Sequence, residues 1–362
     1  MSRAADHSSM EPGDEMTAMD PADEVITRRR PRAPVMSDVG RLAGVSHQTV
    51  SRVINGSPHV RPETRKRVLA AMEELGYRPN SVARALVTGR SQTLGVVSFD
   101  TTLYGPASTL FGIEQAAHEA GYFIIVASLK ALNRSSVTEA VERLRRQGVD
   151  GILVIAPHEE AGDALLHTHA DVPLVAVEAG PEDGVPVVAV DQVAGAVGAT
   201  GHLLELGHQT VWHISGPPSF IEAGKRLEGW RTTLRRAGAD VPEPLVGDWS
   251  PRAGYELGRR LSHDPAVTAV FVANDQMALG LLRAMHEAGR EVPGELSVVG
   301  FDDIPEASYF LPPLTTVRQD FSEMGTRSLR LLLRTIETGE SPSSGTLVPP
   351  ELIIRASTSA AP

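Results

Sequence analysis

Apolar positions change their spacing twice along the chain, and the changes mark its parts. Residues 1–34 show no periodicity; Asp, Glu, Pro, Ser and Met dominate, and the segment reads as a disordered tail. From residue 35 to 79 apolar residues recur at helical spacing. Val39, Leu42 and Ala43 make a stripe on a first short helix capped by Ser37, and Gly44 permits a tight turn. Ser46 caps a second helix on which Val50, Val53 and Ile54 fall at i, i+3 and i+4. Pro62 opens a third, with Val68, Leu69, Met72 and Leu75 as its buried face and Gly76 as its stop. Residues 80–92 form a linker with one short helix, capped by Asn80 and running from Ser81 to about Leu86. Isolated helices below about 12–15 residues are marginal in water. This one is therefore expected to order only when something holds it, which suits a coupling element.

From residue 93 to 358 short β-branched runs alternate with amphipathic stretches. GVVS, FIIVAS, GILVIA, PLVAV and VVAV form one series; VWHISG, AVFVAND and LSVVGFDD form a second, and ELIIRAS is a final strand. Alternation of this kind predicts parallel sheets with helices on both faces, and two series predict two lobes. The expected fold is a small all-α helix-turn-helix domain followed by a two-lobed α/β domain. Ligands of such sheets bind beyond the carboxyl ends of the strands. Glu178, Asn274, Asp275, Asp302 and Asp303 stand at those ends.

Charge sharpens the division. The chain carries a net −11, but residues 28–92 hold thirteen Lys or Arg against four acids, a net +9, while residues 93–362 are net −14. A small basic module joined to a large acidic one indicates that only the first meets phosphate. With no cysteine, disulfides and thiolate metal sites are excluded. There is no apolar run of membrane-spanning length and no apolar segment of a secretory signal near the start, so a cytoplasmic location without membrane contact is expected.

The second helix carries the chemistry of base reading. With Val50, Val53 and Ile54 turned inward, Gln48, Arg52 and Asn55 occupy the opposite side at i, i+4 and i+7, with His47 beside them. Gln and Arg each place two hydrogen bonds on one base edge in the major groove, adenine for Gln and guanine for Arg. Ser46, Thr49 and Ser51 are short donors suited to phosphate.

Other chemistries lack their frames. Gly224-Lys225 has Ser219 where a phosphate loop needs glycine and Arg226 where it needs Ser or Thr. Gly195, Gly198 and Gly201 are spaced for helix packing, His167 and His169 diverge on a helix, and His202 and His208 suit a packed surface helix. Without a catalytic constellation, metal spacing or cofactor motif, the sequence predicts neither an enzyme nor a cofactor.

The motifs DVGRLAGVSHQTVSRVING, GYRPN, HLLELGH, RLEGW, GDWS, VANDQMALG, SVVGFDD and PPLTTVRQDF together resemble the lactose-repressor (LacI/GalR) family of bacterial regulators, from about Val35 to about Ser357. GDWS and VANDQMALG are nearer its lactose-type than its purine- or ribose-type members. The resemblance implies that the two-lobed domain is periplasmic-binding-protein-like. It also implies a sequence-specific repressor of carbohydrate-utilisation genes, released from a palindromic operator by a small sugar, a galactoside or related glycoside. His47, Gln48 and Arg52 match base-reading positions; Asn80 and Ala83 fall in the hinge helix, whose Leu86 matches the leucine that wedges into the minor groove. Arg226, Asn274 and Asp302 match polar effector contacts, Trp249 and Phe321 the aromatic walls, and Leu103 and Gln319 further lining positions. Glu178 stands where the family has aspartate, and an asparagine expected near Ile155 is absent. The C-terminal leucine heptads of tetrameric members are absent too, which predicts a homodimer. Two other readings remain open: a corepressor-dependent regulator of the same family, and a solute-binding transport protein of the same two-lobed fold.

Overall fold

A computed structural model describes residues 32, 34–78, 89–129, 133–158, 171–179, 185–340 and 345–362. The chain divides into two compact units, Met1–Asn80 and Ser81–Pro362.

Among the described residues of the first unit, three helices surround a small core: α1 Met36–Ala43, α2 His47–Ile54 and α3 Pro62–Glu74. Val39, Ala43, Val50, Val53, Val68 and Ala71 fill it. Two expected core residues lie elsewhere. Leu42 is 45% exposed and Leu69 52% exposed. The buried line of α3 runs through Val68, Ala71, Met72 and Leu75, and at about 100° per residue Leu69 sits a quarter-turn away from it. Leu42 flanks the Val39–Ala43 line in the same way. Nor is Ser37 the cap of α1: the helix begins at Met36, and the Asp38 carboxylate accepts the Val35 N–H at 3.0 Å. Ser46 does cap α2, its Oγ accepting the Thr49 N–H at 3.2 Å. Gly44, at φ +64°, closes α1 with left-handed backbone that a β-carbon disfavours.

The second unit holds two six-stranded sheets. The first lobe contains β1 Thr93–Phe99, β2 Phe123–Leu129, β3 Gly151–Ile155, β4 Leu174–Val177, β5 Val187–Val190 and β11 Thr346–Val348, in the order β11-β5-β4-β3-β1-β2 and all parallel. The second contains β6 Trp212–Ser215, β7 Leu245–Val246, β8 Ala269–Val272, β9 Ser297–Asp302, β10 Thr315–Arg318 and β12 Glu351–Ile353, in the order β12-β10-β9-β8-β6-β7; only β12 is antiparallel. Strands β3, β4, β5, β8 and β9 run as continuous buried apolar segments because helices cover both faces. Edge strand β2 departs from that expectation, leaving Phe123 74% exposed with Ile125 and Val126 partly so.

The lobes are not two successive halves of the chain. After β5 the chain enters the second lobe with α6 Gln192–Glu205, which packs on α7 Ile221–Ala237. After β10 it returns: α10 Phe321–Thr338 lies on α4 Tyr104–Glu119, and β11 joins β5. It then crosses a third time into β12. Gly112 and Gly325 meet where α4 and α10 cross, at a separation that leaves no room for a β-carbon.

Candidate functional site

On α2 the side chains of His47, Gln48, Arg52 and Asn55 are exposed together, as is Ser46, while Thr49 and Ser51 are half-buried. Ser46 Oγ and Thr49 Oγ1 are 3.0 Å apart, and Asn55 Nδ2 donates to Ser51 Oγ at 3.4 Å. Arg65 of α3 fixes the end of the helix by donating to the Ser57 carbonyl at 2.7 Å and the Val53 carbonyl at 3.5 Å. The face is thus presented by a short helix held from its inner side. Asn80, Ala83 and Leu86, where a short helix is expected, lie outside the described residues, as do the N-terminal tail through Pro31 and the pair His167 and His169.

Between the lobes of the second unit is a cavity of about 270 Å³. The first lobe contributes Leu103 and Tyr104 after β1, Pro157 after β3 and Glu178 after β4. The second contributes Phe220, Glu222 and Arg226 around the start of α7, Asp248 and Trp249 after β7, and Asn274, Asp302 and Gln319 at the ends of β8, β9 and β10. Every one lies at or beyond the carboxyl end of a strand, where open α/β sheets gather their ligands.

Four buried side chains form a closed ring in the floor. Arg226 Nε donates to Gln192 Oε1 at 2.8 Å, Gln192 Nε2 to Gln319 Oε1 at 2.8 Å, and Gln319 Nε2 to Asp302 Oδ1 at 2.7 Å. Asp302 Oδ1 returns to Arg226 Nη2 at 3.7 Å. Arg226 also donates to the Ala273 carbonyl and stacks over Phe301, 3.8 Å from the ring centre. Burial pushes the Asp302 carboxyl up to about 6, against the opposing pull of Arg226 and of the Gln319 hydrogen bond.

Trp249 walls one side. Phe220 meets it edge-on at 5.5 Å, and Gly216 lies so close under the indole that no side chain would fit there. Asn274 holds its backbone: Nδ2 donates to the Trp249 carbonyl at 3.0 Å while Oδ1 accepts the Met277 N–H at 2.9 Å and caps α9 Asp275–Glu287. Trp249, Glu178 and Asp302 all have left-handed backbone, with φ +71°, +60° and +112°. Non-glycine residues hold such angles at a cost of order 1–3 kcal/mol, and these strained positions cluster where ligands are held.

Of the residues singled out from the sequence, Leu103, Glu178, Arg226, Trp249, Asn274, Asp302 and Gln319 meet at this cavity. Phe321 is not among its lining; its ring lies behind Tyr104, edge-on at 5.8 Å, in the core of the first lobe. Asp275 is consumed internally, accepting from Thr316 Oγ1 at 2.6 Å and the Ile304 N–H at 2.9 Å. Asp303 pairs with Arg318 and Arg355. His208 is a buried loop residue bonded to Thr268, not part of a surface helix. Tyr104, Phe220, Glu222 and Gln192 were not foreseen. Among the described residues no group of His, Asp or Glu is arranged to hold a metal ion, and no helix is long and apolar enough to cross a membrane.

Comparison with known proteins matches residues 35–80 to the family described as bacterial regulatory proteins, lacI family, and residues 200–358 to a periplasmic binding protein-like domain. The lactose operon repressor of Escherichia coli (strain K12) is 35% identical over 324 residues, covering 89% of this chain and 89% of that protein. The crystal structure of the lac repressor dimer bound to operator and the anti-inducer ONPF matches with a TM-score of 0.80 at 34% identity, over 91% of this chain and 100% of that one. A transcriptional regulator CelR–cellobiose complex matches with a TM-score of 0.66 at 34% identity, over 90% and 99%.

Proposed function

The chain belongs to the lacI family of bacterial regulatory proteins, and on that premise we propose that it represses carbohydrate-utilisation genes from a palindromic operator, released by a small sugar. It is a transcriptional repressor, not an enzyme, with a sugar-binding type of effector domain. A homodimer acting in the cytoplasm would place two α2 helices on the two halves of one site. His47, Gln48, Arg52 and Asn55 then face base edges and Ser46, Thr49 and Ser51 the phosphates, while Asn80, Ala83 and Leu86 serve the hinge.

The observation that carries the ligand reading is the lining of the interlobe cavity. Planar polar groups (Arg226, Asn274, Asp302, Gln319) face an aromatic wall of Trp249 and Phe220. Carboxylate, amide and guanidinium groups hold vicinal hydroxyls, and a ring covers the apolar C–H face of a pyranose. A sugar there touches both lobes, so occupancy biases their arrangement. By linkage, a sugar that weakens operator binding binds the operator complex more weakly by the same factor.

The test is a band-shift titration of the purified protein on palindromic fragments near its own promoter, with a panel of mono- and disaccharides. Release by at least one sugar is expected. A ligand that tightens the complex would reverse the logic to corepression, and indifference to every fragment would refute the reading.

A further inference from the structure

Among the described residues, the charged groups lining the cavity are four carboxyls, Glu178, Glu222, Asp248 and Asp302, and one guanidinium, Arg226. The guanidinium is engaged within the protein, by Gln192, the Ala273 carbonyl and Asp302. The site therefore disfavours an anionic ligand and is short of positive charge.

The imbalance is concentrated where the lobes face each other. Glu178 follows β4 in the first lobe and Glu222 is the second residue of α7 in the second. Both are more than nine-tenths buried, and their carboxyl groups hydrogen-bond to one another. Burial raises both carboxyls, and the charge on Glu178 raises Glu222 further; Arg226 draws both down and Lys225 draws down Glu178, without cancelling the rise. Like charges this close resist ionising together, so the two acids titrate as a pair and favour sharing a proton.

Outside the pair itself, Glu178 Oε1 and Glu222 Oε2 have no hydrogen-bond partner. Trp249 Nε1, the indole donor of a residue lining the same cavity, is buried with none at all. Buried polar groups left unpaired are costly, and a ligand that supplies partners gains by it. The carboxyl pair asks for N–H or O–H donors and for positive charge; the indole asks for an acceptor oxygen. A neutral sugar answers the indole but adds no positive charge at the carboxyl pair, whereas a simple alkylamine does the reverse.

We propose that the effector is an amino-substituted sugar whose ammonium group sits between Glu178 and Glu222 while its ring or hydroxyl oxygens meet Trp249 and Arg226. This rests on the reading of the cavity as a carbohydrate site. On binding, the ammonium donates to both carboxylates, and the proton shared by the pair passes to solvent. Because the two acids belong to different lobes, the ammonium also ties the lobes together.

The experiment uses the full-length protein at pH 7 with glucosamine, galactosamine, mannosamine and the β-1,4-linked glucosamine disaccharide. Each is compared with its parent hydroxyl sugar and its N-acetyl form, which differ from it only at the nitrogen-bearing position. At least one amine is expected to raise the melting temperature where its two neutral counterparts at equal concentration do not. Calorimetry in buffers of different ionisation enthalpy is expected to show release of about one proton per site on binding. Glu178→Gln and Glu222→Gln are each expected to weaken the amine by about tenfold or more and to reduce the proton release. The comparison of amine with parent sugar needs no variant, so it decides even where a substitution fails to fold. Neutral sugars binding as tightly as every amine would overturn the proposal and leave the carbohydrate reading intact. Silence from every sugar in the panel would overturn both.

Discussion

Gln192 and Gln319 are joined side chain to side chain, Nε2 to Oε1, at 2.8 Å. Gln192 opens the segment by which the chain leaves the first lobe after β5; Gln319 opens the segment by which it returns after β10. The bond thus latches two of the three crossovers together directly beneath the ligand cavity. Both glutamines also belong to the ring with Arg226 and Asp302, so a ligand that pulls on either charged group pulls on the crossovers.

Removing one member of that ring leaves the others buried and unpaired. Gln192→Ala strips Arg226 Nε and Gln319 Oε1 of their partners. Each buried group left unsatisfied costs about 1–3 kcal/mol. The variant is expected to lose roughly 2–4 kcal/mol of stability in a urea titration, with a lower midpoint and an unchanged slope. A midpoint equal to the parent's would mean that the ring does not hold the crossovers.

Gly216 tests the aromatic wall without removing a polar side chain. A side chain there meets the indole of Trp249, so Gly216→Val is expected to displace the ring. The thermal shift produced by effector should vanish while band shifts on operator persist. Retention of the thermal shift would show that Trp249 does not carry the ligand.

Much of this architecture was legible in the sequence, because parallel strands buried on both faces write long apolar runs, as in β3, β4, β8 and β9. The elements that escaped are short or polar. β7 has two residues, and β10 reads TTVR, with Thr315 and Thr316 buried by tertiary contacts and not by pattern. The return of β11 to the first sheet has no local signal at all; only pairing with β5 defines it. At the cavity, residues in distinctive motifs at strand ends were readable. Glu222 was not, since a glutamate in the first turn of a helix is ordinarily a solvated favourable charge. Its burial comes from the opposite lobe. Phe321 shows the converse: its motif pointed to the cavity, but the helix it begins turns the ring into the first-lobe core.

His213 sets an acid limit on stability. It is fully buried, stacked on Phe271 at 4.7 Å and on Trp230 at 5.3 Å, with Nδ1 bonded to the Phe271 carbonyl. Burial lowers its imidazole from 6.5 to about 4. The folded value lies below the unfolded one, so the contribution is fully present above about pH 6.5 and is lost as pH falls toward 4, amounting to about 3 kcal/mol. The raised carboxyls Asp302, Glu178, Glu222 and Asp275 act in the opposite sense, favouring the folded state as pH falls. Comparing the parent with His213→Phe isolates the histidine: between pH 7 and pH 4 the variant should lose less stability. Parallel melting curves across that range would assign the acid sensitivity elsewhere.

Arg52 tests the division of labour between the two units. Its side chain is exposed on α2, one turn beyond Gln48, and the residues lining the cavity all belong to the other unit. A bidentate contact to guanine is worth about 1–3 kcal/mol of discrimination against the wrong base. Arg52→Ala is therefore expected to lower the preference for operator over unrelated DNA by roughly 10- to 100-fold. Residual binding should keep a steep salt dependence, because the remaining phosphate contacts still release counterions. Effector-induced stabilisation of the free protein should match the parent's. An equal fall in effector binding would show that the reading helix and the cavity are not separable, and a preference that survives would move base reading to other residues of the basic module.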